Sequence, residues 1–122
     1  MLLGITDYSL ELLLDLDGFI AEVGGGYWVK IEVQAILVNP RKPHGIDYSL
    51  TLHSPDGERL LGYDNAHPVR ERRGPTKKEN NTNDHTHRKK TIRRYKYVDA
   101  EKLINDFWTD VDRVLKEHGV SK

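Results

Sequence analysis

The chain has 122 residues, no cysteine, and equal numbers of basic and acidic side chains, 19 of each. That length supplies one hydrophobic core and not two, and the missing thiols exclude disulfides, thiolate zinc sites and cysteine nucleophiles together. The zero net charge hides an asymmetry: residues 1–65 carry four Lys/Arg against ten Asp/Glu, residues 66–96 eleven against three, and residues 97–122 four against six.

In chain order, the leucine-rich start is interrupted by Asp7, Glu11, Asp15 and Asp17 and has no basic residue ahead of it, so it does not read as a secretory leader. No run approaches the length of a membrane span, and a cytoplasmic protein is expected. Residues 7–16 suit a short helix capped by Asp7 with Leu10, Leu13 and Leu14 on one face, although alternation at Leu10, Leu12, Leu14 and Leu16 also suits a strand. Asp17-Gly18 marks a turn. Phe19–Val23 and Tyr27–Val38 read as two strands joined by Gly24-Gly25-Gly26. The three glycines lack a following Gly-Lys-Ser/Thr and open no helix, so they are a turn and not a phosphate loop. Residues 39–45 form a loop. Asp47–His53 alternates Tyr48, Leu50 and Leu52 with polar residues, Ser54-Pro55-Asp56-Gly57 is a tight turn, and Arg59–Asp64 returns as a strand.

No aliphatic residue, Phe, Tyr or Trp lies between Val69 and Ile92. Residues 66–90 are therefore expected as one long basic loop within a single 1–122 domain, and loops of that length are usually functional or disordered. A block this basic suits a polyanion or an acidic partner surface, and equally a solvated arm. A last strand is expected around Thr91–Tyr97. From Asp99 to His118 the apolar residues Leu103, Ile104, Phe107, Trp108, Val111, Val114 and Leu115 fall on one helical stripe, with Asp99 as N-cap and Gly119 as stop. The fold class is α+β: a four- to five-stranded antiparallel sheet with the C-terminal helix packed on one face.

Chemistry concentrates in Asp64-Asn65-Ala66-His67 and Asp84-His85-Thr86-His87-Arg88. On an extended backbone His85 and His87 point the same way. Such a pair can move protons at neutral pH while Arg88, Arg93 or Arg94 stabilises charge on a phosphate, with Asp64 or Asp84 orienting a histidine. No cofactor is required by that route. Alternatively the same imidazoles bind a metal, with His67 or an aspartate completing the shell. The bland reading is a pair of strand residues in a basic arm. Lys89, Lys90 and Tyr95 join the arginines as candidate RNA contacts, the tyrosine by stacking on bases or else by packing. Tyr97 suits packing better. No Gly-x-Ser-x-Gly elbow supports acyl transfer.

The ordered series Gly-Gly-Gly-Tyr-Trp-Val-Lys at 24–30, Pro-His-Gly-Ile-Asp-Tyr-Ser-Leu-Thr-Leu-His at 43–53, Gly-Tyr-Asp-Asn-Ala-His at 62–67, Asp-His-Thr-His at 84–87 and Asp-Ala-Glu-Lys-Leu-Ile-Asn-Asp-Phe-Trp at 99–108 resembles the TumE family. The resemblance runs from about Leu10 to Leu115. It implies a growth-inhibiting toxin of a bacterial or archaeal type II toxin–antitoxin system, paired with a helix-turn-helix antitoxin. It carries the family's Asp-Asn pair onto Asp64 and Asn65 and its Asp-His-x-His run onto Asp84, His85 and His87. His67 stands where many members have another charged residue. Joined to the chemistry above, the expectation is a metal-independent endoribonuclease acting on RNA, with a homodimer left open. The alternative is a non-catalytic module that inhibits by occupying nucleic acid or protein.

Overall fold

The structure is a computed structural model that describes residues 8–65, 84–88 and 91–120. Much of the expected basic loop, including His67, and the pair Lys89 and Lys90 lie outside the described residues. Helix α1 (Tyr8–Asp15) precedes strands β1 (Phe19–Gly24), β2 (Tyr27–Ala35), β3 (Ile46–His53), β4 (Arg59–Asp64), β5 (His85–Arg88) and β6 (Thr91–Arg94), and helix α2 (Ala100–Glu117) closes the chain. The strands form one sheet in the order β1-β2-β3-β4-β5-β6, every neighbouring pair antiparallel.

The sheet has six strands where four to five were expected. The additional one is β5, whose sequence His-Thr-His-Arg has no aliphatic alternation to betray it. Two expected strands end early. β2 stops at Ala35, and Leu37 and Val38 are exposed where the chain turns through the Asn39–Lys42 bridge. β6 stops at Arg94, leaving Tyr95 and Tyr97 on the lead-in to α2.

Local chemistry explains the corners. Gly24, Gly25 and Gly26 all have positive φ, so the β1–β2 turn needs three residues without a Cβ. At the β3–β4 turn Gly57 has φ 93° and its N–H donates to the Ser54 carbonyl at 2.9 Å. The Asp99 carboxylate accepts the Lys102 N–H at 2.8 Å and caps α2. At its other end Gly119 (φ 74°) donates to the Lys116 carbonyl and Val120 to the Leu115 carbonyl, the two bonds of a Schellman stop.

Register sorts the sheet into two faces. Val29, Leu52 and Leu61 are cross-strand neighbours, as are Ile31, Leu50 and Tyr63, and all are buried. They form one core with Leu13 of α1 and with Leu103, Phe107, Val111, Val114 and Leu115 of α2. Ile104 and Trp108 pack at its margin. Burial of such side chains contributes about 1.5–3 kcal/mol each. The opposite face carries two lateral rows. One reads Lys30, Thr51, Gly62, His87, Ile92, and the other Glu32, Ser49, Asp64, His85, Arg94. The second row puts a carboxylate and an imidazole side by side.

Candidate functional site

The site is built by alternation and register together. β4 puts Tyr63 into the core and Asp64 on the opposite face, and β5 puts His85 and His87 on that same face. Asp64 and His85 are direct cross-strand partners, and His87 stands beside Gly62, two residues along. The Asp64 carboxylate is the meeting point: its Oδ1 is 3.0 Å from His85 Nε2 and its Oδ2 is 3.3 Å from His87 Nε2. The two imidazole rings meet edge to face, with centroids 4.6 Å apart. All three side chains are buried, His85 at 2% and His87 at 7% exposure.

The two histidines are not equivalent. His87 Nε2 lies 3.3 Å from Asp64 Oδ2 and is a buried nitrogen without a hydrogen-bond partner. Burial holds the His87 pKa below the ordinary imidazole value; the positive charge of Arg59 lowers it further, and Asp64 opposes both. His87 is therefore neutral at neutral pH.

Arg59, a plain strand residue in the sequence pattern, also reaches this face. The β3–β4 register slips between Leu52 and His53, so Arg59 faces His53. Its side chain then runs over Gly62, with Cδ and Nη1 3.6 and 3.7 Å from the point where a Cβ of residue 62 would stand. That brings an exposed guanidinium over the same face as the buried cluster. Only the bulge reveals it, and no sequence pattern marks one there. Beyond Arg59, His53 stacks on Trp28 with centroids 4.0 Å apart.

A family model described as Toxin TumE matches residues 27–115. The chain belongs to the TumE toxin family. The matched span begins with β2 and ends within α2, so it contains Asp64, His85, His87 and Arg59 together. No curated protein and no solved structure matches the chain. TumE proteins are toxins of toxin–antitoxin systems, so an antitoxin is the partner that goes with membership. Among the described residues no helix is long and apolar enough to cross a membrane.

The two runs Asp64-Asn65 and Asp84-His85-Thr86-His87 are split between the faces of the sheet. Asp84 is the neighbour of His85 in sequence and sits on the other side of the sheet. Its carboxylate accepts the Tyr48 hydroxyl at 2.7 Å and stands 3.3 Å from His44 Nε2, while His44 stacks on Tyr97 at 3.8 Å. Of the two aspartates expected to orient a histidine of the pair, Asp64 does the contacting and Asp84 ties the start of β5 to the core. Burial, then the Asp84 charge, pushes the Tyr97 hydroxyl up to about 12 and Tyr48 higher still. Asn65 is fully buried, its amide accepting the Tyr48 N–H at 3.0 Å and donating to the Ile46 carbonyl at 2.8 Å, a structural clasp on β3.

The expected RNA contacts also separate. Arg94 faces His85 across the β5–β6 pair, on the cluster's face. Arg88 and Arg93 alternate to the helix side, where Arg88 pairs with Glu117 and Arg93 lines a pocket of about 270 Å³ with Asp110 and Arg113. Tyr95 donates its hydroxyl to Asp106 at 2.7 Å and packs edge-on against Tyr63. It serves the helix–sheet junction there. His67, Lys89 and Lys90 fall outside the described residues.

Proposed function

We propose that the protein is an RNA-cleaving toxin whose reactive centre is Asp64, His85 and His87. The observation that carries this reading is the convergence of two buried imidazoles on one buried carboxylate, beneath Arg59 and beside Arg94. Cleaving a phosphodiester needs an acceptor for the attacking oxygen's proton and positive charge for the phosphate. The imidazoles and the two guanidinium groups are the residue types for those tasks. An acid and a base acting independently would stand on opposite sides of the phosphorus. Here both Nε2 atoms address a single carboxylate, so the geometry favours one joint centre over a separated pair.

One observation favours a second reading, inhibition by occupancy. The cluster is buried, whereas every residue of β6, Arg93 and Arg94 included, is exposed. Cations on a surface strand hold polyanions without any chemistry.

Incubating the purified protein with total and ribosome-bound RNA separates the two. Wild type should cleave, and His85→Ala and His87→Ala should each lose about 10²–10⁴-fold in rate while retaining RNA binding and a native circular dichroism spectrum. Absence of cleavage by folded wild type under every ionic condition, with binding that depends on Arg59 and Arg94, would establish the occupancy reading instead.

A further inference from the structure

We infer that Asp64, His85 and His87 form the binding site of one divalent transition-metal ion of the Zn²⁺ or Mn²⁺ kind. Two imidazole nitrogens and one carboxylate are a donor set such ions take, and the residues lie close enough for their ligand atoms to fall within 4.8 Å of one another. Ligands about 2.1 Å from one ion stand about 3.0–3.4 Å apart along the edge of a tetrahedron or octahedron. The separations of 3.0 Å from Asp64 Oδ1 to His85 Nε2 and 3.3 Å from Asp64 Oδ2 to His87 Nε2 are edges of that size for a carboxylate that offers both oxygens to the ion.

The independent observation is His87 Nε2. A carboxylate at 3.0 Å is reason enough for the position of His85 Nε2. The His87 contact is longer: its Nε2 stands 3.3 Å from the same carboxylate, buried, aimed at the cluster and without a hydrogen-bond partner. Burying a polar atom unsatisfied costs about 1–3 kcal/mol. A nitrogen lone pair pointing at a cation would not incur that cost. The scaffold is also rigid: the ligands sit on adjacent paired strands, fixed in direction by the β4–β5 register. Three protein ligands leave coordination positions open for water or a substrate oxygen, as catalytic sites do and structural sites do not. The use of the ion rests on the cleavage centre proposed above, with the imidazoles then holding the ion in place of accepting the proton; its binding does not rest on that reading.

The test uses the full chain, stripped with chelator and dialysed, with Zn²⁺, Mn²⁺ and Co²⁺ each titrated alone by calorimetry. Wild type should bind one equivalent of at least one of them. Affinity should fall at least tenfold in His87→Gln and Asp64→Asn and stay unchanged in His53→Gln. Should either cluster variant fail to fold, wild type alone decides: Zn²⁺ should shift the ring resonances of His85 and His87 and leave those of His44 and His53 in place. Three results would overturn the site: no stoichiometric binding by wild type, equal binding by His87→Gln, or shifts confined to His44 and His53. Metal binding without RNA cleavage would uphold the site and remove the cleavage reading. Chelator-resistant cleavage without metal binding would do the reverse.

Discussion

At the scale of single residues, neighbours in sequence have different duties because alternation separates them. Asp84 and His85 share a peptide bond but face opposite sides of the sheet, and Asp64 reaches His85 from another strand. His53 shows how the same face sets proton affinity. Its ring lies flat on Trp28, and burial, followed by the charges of Arg59 and Lys30, lowers its pKa, with a backbone contact at Gly57 opposing. The folded state thus prefers neutral His53, while the unfolded chain protonates near the ordinary value of about 6.5. The stability this contributes is complete above that value and is lost as pH falls through it toward the lowered one. The His53 ring should titrate below about 6.5 by NMR, and thermal stability should fall over the same interval, less steeply in His53→Gln. A titration at or above the ordinary value would remove this explanation.

At the scale of elements, β5 is the strand on which the site depends. It is held at its start by Asp84, which joins it to Tyr48 of β3 and to His44 before β3. Replacing Tyr48 by Phe removes the hydroxyl donor from a buried carboxylate. The expected cost is about 1–3 kcal/mol, read as a lower midpoint in chemical denaturation, with faster amide exchange at His85 and His87 than in the rest of the sheet. Loss of stability spread evenly over the sheet would deny Asp84 its anchoring role. α2 was legible in the sequence because its apolar residues recur every three or four positions and its caps are chemically distinct. β2 and β3 were legible from alternation with branched and aromatic residues, and β4 as the return of the chain after the Ser54–Gly57 turn. β5 was not, since it buries imidazoles in place of hydrocarbon and carries no hydrophobic period. The histidines themselves were visible as an alternate pair. Their shared partner was not, because choosing Asp64 over Asp84 requires the β4–β5 register, and Arg59 entered only through a bulge.

At the scale of the whole molecule, the two faces of one sheet divide the hydrocarbon core from the proposed centre. The face under α2 holds the hydrocarbon core, and the other carries Lys30, Arg59, Arg94 and the buried cluster. The charge asymmetry of the sequence fits that division in part: Arg94 belongs to the basic stretch 66–96, whereas Lys30 and Arg59 come from the acidic half. The claim that joins these scales is that Asp64 is the hub of a single centre. The measurement that tests it most directly is the rate of RNA cleavage by Asp64→Asn beside wild type, at matched circular dichroism and thermal midpoint. A loss on the order of 10²-fold or more with RNA affinity unchanged is the predicted result. An Asp64→Asn protein that cleaves at the wild-type rate would contradict it.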